Sequence, residues 1–170
     1  MSEDYSRVKI LVVGPSKSGK SCLIKNYCEG RFVKRYLPTI GIDYGVRTIE
    51  IQNKPIKVNF FDASGALEFK PIRQEFYADS QAVIFVVDAS VPSSLIECAD
   101  FFTETASFNI PLNYLVISKT DLGMKLNEND IAEFTKKIGG RSFKASSMTG
   151  ENVEMLFGQI FKDVHLQFLK

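Results

Sequence analysis

The sequence predicts an α/β domain with a six-stranded, mostly parallel sheet, one antiparallel edge strand and about five helices. Three observations carry that expectation. Strand-like apolar runs alternate with helix-period segments along the chain. Two of those runs, Ala82-Val83-Ile84-Phe85-Val86-Val87 and Tyr114-Leu115-Val116-Ile117, are apolar on both faces, as central parallel strands must be. No repeat, low-complexity tract or Pro/Gly/Ser-rich linker interrupts the 170 residues, so one domain is expected over 1–170, with 1–6 as a flexible start.

Taken in order, residues 8–13 read as a buried strand and 20–28 as the helix behind it. Residues 43–51 and 56–61 flank Gln52-Asn53-Lys54-Pro55 and read as an antiparallel hairpin. The alternation of Val46, Thr48 and the isoleucines suits an edge strand with one wet face. Residues 69–77 read as a short helix, 82–87 as a central strand, 94–108 as a helix and 114–117 as a second central strand. A helix over 127–138, capped by Asn127 or Asn129 and ended by Gly139-Gly140, leads to a short strand at 142–145. The last helix, 152–169, is amphipathic, with Val153, Leu156, Phe157, Ile160, Phe161 and Val164 on one stripe.

Composition excludes little and suggests less. With 45% hydrophobic and 24% charged residues and a net charge of +1, nothing points to a bulk electrostatic partner, nucleic acid or anionic membrane. Lys34-Arg35 and Lys136-Lys137 read as solvated faces. Cys22, Cys28 and Cys98 have neither metal nor disulfide spacing and fit a reduced, cytoplasmic setting; Cys22 and Cys28 are expected as small core residues of the first helix. The N-terminus lacks the pattern of a signal peptide, and no apolar run would span a bilayer. With Ser2 and no C-terminal cysteine, no lipid anchor is expected in this chain.

The chemistry concentrates at predicted strand ends, where such sheets bind ligands. After Ile10-Leu11-Val12-Val13 comes Gly14-Pro15-Ser16-Lys17-Ser18-Gly19-Lys20-Ser21, a match to G-x-x-x-x-G-K-[ST] between a strand and a helix. In that context the backbone N–H groups of Ser16 to Ser21 wrap a polyphosphate, helped by the positive end of the helix dipole. Lys20 then reaches the β- and γ-phosphates and the Ser21 hydroxyl ligates Mg²⁺. Phe60-Phe61-Asp62-Ala63-Ser64-Gly65 adds an acid on the metal side, acting through water, and a glycine that lets an N–H approach the γ-phosphate. Read alone, D-x-x-G is only a turn after a strand. Ser118-Lys119-Thr120-Asp121 offers a lysine stem to lie along a base and a carboxylate to accept from guanine N1–H and its 2-amino group. Adenine has no such donor pair, which argues against an ATPase or a P-loop kinase.

These residues resemble the small GTPases of the Ras superfamily, in the Rab-like branch, over essentially the whole chain. Tyr36-Leu37-Pro38-Thr39-Ile40-Gly41-Ile42-Asp43-Tyr44 is similar to the Rab switch I, and Phe143-Lys144-Ala145-Ser146-Ser147-Met148-Thr149-Gly150-Glu151-Asn152-Val153 resembles the E-T-S-A-K loop. The run from Cys22 to Cys28, with Arg31-Phe32-Val33, Ile42 to Val46 and Ile56-Lys57-Val58-Asn59, looks nearest to Rbj, an atypical Rab-like group often fused to a J domain. No H-P-D motif occurs here, so the resemblance implies a GTPase-only or shortened version. It implies the fold of a P-loop NTPase (a small G domain), GTP or GDP with Mg²⁺, and a monomer acting as a switch. Phe32 would pack on guanine, with Cys22, Ser118, Lys119, Asp121, Ser146, Ser147 and Met148 around it. Tyr36 would close over the phosphates. Thr39 would bind Mg²⁺ and, with Gly65, sense the γ-phosphate; Lys20, Thr39 and Gly65 would act in hydrolysis. Effectors, exchange factors and GAPs would read regions 32–44 and 62–77, with Tyr44, Phe61 and Phe76 as the aromatic triad or, equally, as core.

Several positions depart from the family pattern. Ala66 stands where a glutamine orients the attacking water, so intrinsic hydrolysis is expected to be slow. Leu67 replaces the usual Glu, and Lys17 a common glycine over the phosphates. Ser118 replaces Asn or Thr, a shorter side chain with fewer partners in reach, and Ser146-Ser147-Met148 replaces S-A-K.

Overall fold

A computed structural model describes residues 6–32 and 39–169. It contains a six-stranded sheet in the order β2-β3-β1-β4-β5-β6, formed by β1 (Ser6–Val13), β2 (Ile42–Ile51), β3 (Lys54–Ala63), β4 (Ala82–Asp88), β5 (Leu112–Ser118) and β6 (Arg141–Lys144). Only β2 and β3 pair antiparallel; β1 lies parallel to both β3 and β4, and the ladder continues parallel through β5 to β6. Five α-helices stand among the described residues: α1 (Lys20–Glu29), α2 (Lys70–Gln74), α3 (Ser94–Ala106), α4 (Glu128–Ile138) and α5 (Val153–Phe168). The expected α/β class, strand number and antiparallel edge are all found.

Alternation along the strands divides the core in two. Val8, Ile10 and Val12 of β1 join Ile84 and Val86 of β4 under α1 and α5, where Tyr27, Leu156, Phe157 and Ile160 complete the layer. Leu11 and Val13 face the other way, with Val83, Phe85 and Val87, against Leu95, Cys98 and Phe101 of α3 and Ile131 and Phe134 of α4. Every residue of β4 is buried, as its two apolar faces require. Within the first layer the Tyr27 ring stacks on Phe157 at 4.0 Å between centroids, fastening α1 to α5.

The structure corrects several boundaries. Ser6, expected in a flexible start, belongs to β1, and the rest of that expected start, 1–5, lies outside the described residues. The hairpin turn is two residues long, because Gln52 and Asn53 both take positive φ, 50° and 61°, and Lys54 and Pro55 already pair with Ile51 and Glu50. The helix expected over 69–77 is a 3₁₀ turn, Leu67–Phe69, followed by the five-residue α2. Pro71 lies in its first turn, and the amides of Glu75, Phe76 and Tyr77 bond to carbonyls three residues back, so the coil tightens and stops. Asn127, not Asn129, caps α4: its side chain accepts from the Asn129 and Asp130 amides at 2.8 and 3.4 Å. Of the cysteines, Cys98 is the fully buried one, while Cys22 and Cys28 are half-buried.

Chain order reverses at β1: β2 and β3 follow it on one side, and β4 to β6 on the other. Such a switch point opens a crevice at the carboxyl end of the strand, where the Gly14–Gly19 loop lies. Away from that crevice, a β-carbon at Gly140 would sit 1.8 Å from the Asn113 carbonyl oxygen. Gly140→Ala is therefore expected to cost about 1–3 kcal/mol in urea unfolding by forcing the start of β6 off β5. An unchanged unfolding midpoint would contradict this packing.

Candidate functional site

The loop between β1 and α1 is shaped by two glycines and one lysine. Gly14 has φ 148°, and a β-carbon there would sit 2.2 Å from the Val86 carbonyl oxygen of β4. Lys17 and Gly19 take φ 63° and 99°. Gly19 caps α1 without any side-chain bond, and the first turn of α1 carries no acid, so its amides face the crevice for an anion. The Ser18 hydroxyl is buried with no hydrogen-bond partner among the described residues.

Lys20, only 6% exposed, donates to the carbonyls of Gly14 at 2.9 Å and Pro15 at 2.8 Å. Burial pulls its pKa down to about 8, against the opposing pull of the Asp62 charge. Asp62 is the last residue but one of β3, and burial pushes its carboxyl up to about 6, while Lys20 and the Ser21 hydroxyl hold it lower than burial alone would. Ser21 donates to Asp62 Oδ2 and stands 3.2 Å from the Thr39 hydroxyl. Asp62 Oδ1 is buried without a partner among the described residues. Two hydroxyls and one carboxylate are hard oxygen donors, too few to enclose a cation, which suits Mg²⁺ completed by phosphate oxygens and water. The donor set and the orphaned carboxylate oxygen fit that ion.

The loop after β3 rests on the loop after β1. A β-carbon on Gly65 would lie 2.3 Å from the Ser16 nitrogen and 2.7 Å from the Gly14 oxygen, so only glycine permits this approach. The Ser64 amide donates to Gly41 O at 2.8 Å, joining the same loop to the entry of β2. Ala66 lines the cleft between them.

At the other end, Ser118 stands at the last position of β5. Its hydroxyl lies within hydrogen-bond reach of the Ser18 carbonyl and, at 2.9 Å, of the Val87 carbonyl. Short as it is, the serine ties the ends of β4 and β5 to the phosphate loop through one carbonyl there. Lys119, at φ 60°, stretches its ammonium to the Lys17 carbonyl and to Asp88, 2.9 Å away. Asp121 sits in an exposed 3₁₀ turn, Thr120–Leu122, and its Oδ1 accepts from the Ser146 hydroxyl at 2.8 Å. The Ser147 carbonyl accepts from Asn26 of α1 at 2.9 Å, which holds the loop after β6 against the crevice.

A single cleft of about 550 Å³ joins these ends. Of the expected residues, Ser16, Lys17, Gly19, Lys20, Ser21, Cys22, Phe32, Thr39, Gly65, Ala66, Ser118, Lys119, Asp121, Ser147 and Met148 line it. Asp62, Ser18 and Ser146 lie behind the lining, and the Ser146 side chain serves Asp121 instead of facing the cleft. Tyr36 lies outside the described residues, as does the rest of 33–38. Tyr44, Phe61 and Phe76 form a chain of rings with centroids 6.4 and 6.0 Å apart; Tyr44 is 68% exposed, while Phe61 and Phe76 are half-buried and Phe61 packs against the core.

Sequence reasoning missed Asp88, which could have been found by the rule that picked Asp62: an acid ending an apolar strand. It also missed Arg73 and Glu104, for which no local signal exists.

Against known proteins, the Ras family model matches residues 9–166. A DnaJ homolog subfamily C member 27-B of Xenopus laevis is 50% identical over 170 residues, covering 93% of this chain and 62% of that protein. The DnaJ homolog subfamily C member 27 of Danio rerio is 36% identical over 167 residues, covering 93% and 61%, and that of Homo sapiens 35% over 160, covering 89% and 59%. The chain spans about three fifths of the length of these relatives.

Proposed function

Given that the chain belongs to the Ras family, we propose that it binds GDP and GTP with Mg²⁺ and acts as a Rab-like switch whose intrinsic hydrolysis is slow. The observation that carries this reading is one cleft with Lys20, Ser21 and Thr39 at one end, where Asp62 stands behind the lining, and Asp121 at the other. Lys20 and the open amides of α1 bind the phosphates. Ser21, Thr39 and Asp62 hold the ion, which when bound neutralises charge on the phosphate oxygens. Lys119, braced by Asp88, supports the base, and Asp121 selects guanine over adenine. Thr39 and Gly65 lie on separate loops that meet at the phosphate end, so loss of one phosphate releases both.

Partners such as effectors, exchange factors and GAPs would read regions 32–44 and 62–77, where Ile40 and Leu67 are 80% and 79% exposed. No helix among the described residues is long and apolar enough to cross a membrane, and a peripheral membrane role through partners fits the reading. Ala66 favours a second form of it, a GTP-loaded scaffold that recruits partners and turns over little. Nucleotide released from purified protein and resolved by chromatography is expected to be GDP or GTP. Absence of both, together with no binding of added GDP, would overturn the proposal.

A further inference from the structure

The largest fully buried side chain of the described residues belongs to an arginine that does not itself line the cleft. Arg73 of α2 is 2% exposed. Its Nε and Nη2 donate to the two carboxylate oxygens of Glu104 on α3 at 3.0 and 2.5 Å, and its guanidinium lies over the Phe101 ring, 4.8 Å from the centroid. Glu104 accepts a further bond from the Tyr77 hydroxyl at 2.9 Å. The remaining arm, Nη1, turns to the loop after β3 and donates to Ala66 O at 2.7 Å and Ser64 O at 3.2 Å. A buried ion pair is poor value for stability alone, since packed apolar side chains of like size serve as well or better. The arrangement does, however, place a rigid, planar fork where it grips the carbonyls on either side of Gly65.

We infer that Arg73, braced by Glu104 and Tyr77, is a positioning residue that sets the height of the Ser64-Gly65-Ala66 backbone above the Gly14–Ser16 loop, and thereby the preference of the site for a triphosphate over a diphosphate. The inference rests on the nucleotide reading above. Gly65 has no room to move closer, with its would-be β-carbon 2.3 Å from Ser16 N, so the tether decides how far it can move away. Released from Arg73, the segment would spend part of its time off the phosphate loop, and binding a third phosphate would have to reorder it. Diphosphate binding, which does not use this loop, would be spared.

The test is the affinity of the full chain for fluorescent GDP and for a fluorescent non-hydrolysable GTP analogue, alongside hydrogen exchange of the 64–69 amides. Because Arg73→Ala strands Glu104 as a buried unpaired charge, Arg73→Met/Glu104→Leu is made in parallel and leaves no charge uncompensated. Triphosphate affinity is expected to fall about tenfold with GDP affinity almost unchanged and exchange at 64–69 faster. Parallel loss of both affinities, or an unchanged ratio with unchanged exchange, overturns the positioning role while leaving nucleotide binding intact. A wild-type chain that binds neither nucleotide overturns both readings.

Discussion

Asp121→Asn is expected to lower GDP affinity by about 100-fold or more and to shift the preference of the chain toward xanthine nucleotides. The argument turns on which way the new amide would point. Ser146 donates its hydroxyl to Asp121 Oδ1 at 2.8 Å, so an asparagine here turns its carbonyl oxygen to Ser146 and its NH₂ to the cleft. That NH₂ then meets guanine N1–H and the 2-amino group, donor against donor. Two hydrogen bonds to a charged group are lost, each worth about 1.5–3 kcal/mol. Xanthine carries an oxygen at position 2, which accepts from the amide and restores one contact. Competition of GDP and XDP against a fluorescent nucleotide reads the change directly. Equal weakening for both bases would place the guanine contact elsewhere in the cleft.

Ala66→Gln is expected to raise single-turnover GTP hydrolysis at least about tenfold, toward the roughly 3–5 × 10⁻⁴ s⁻¹ of a family member with its glutamine intact. The backbone at this position is already fixed. The Ala66 amide donates to Ser64 Oγ at 3.2 Å, and its carbonyl accepts from Arg73 at 2.7 Å. What is missing is a side chain that can hold water; a methyl group at the edge of the cleft cannot. A glutamine grafted onto a tethered backbone therefore needs no rearrangement to reach the cleft. An unchanged rate would move the defect to Lys17 above the phosphates or to the Leu67 region. Wild-type protein already hydrolysing at the higher figure would remove the case for a slow switch.

The features legible in the sequence share one property: each is local. Gly14 to Ser21 is a short run whose spacing suggests its chemistry, and Asp62 to Gly65 and Ser118 to Asp121 gain theirs from following predicted strands behind it. Asn127 as a helix cap and Gly139 as a helix end belong to the same class. Where the structure departs from local expectation, a distant residue intervenes. The helix expected over 69–77 is cut short in a segment whose Arg73 turns inward to Glu104, 31 residues further on. The partner that Ser118 finds, the Ser18 carbonyl, lies 100 residues back and no local pattern names it. The Ser146 hydroxyl supports Asp121, 25 residues back, a contact that spacing does not announce.

By itself the sequence determined the α/β class, the strand and helix count found among the described residues, and the three local runs on which the proposed phosphate, metal and base contacts rest. Periodicity and short-range turn chemistry are enough for those. Only the tertiary structure decided that the sheet order reverses beside β1, which is what brings loops from four strands to one crevice. It also decided that Gly65 lies against Ser16, that Asp88 holds Lys119, and that a buried arginine grips the Gly65 segment from below. Those contacts join residues far apart in the chain, and their partners are chosen by packing and by the cost of burying a charge alone, neither of which leaves a mark on local spacing.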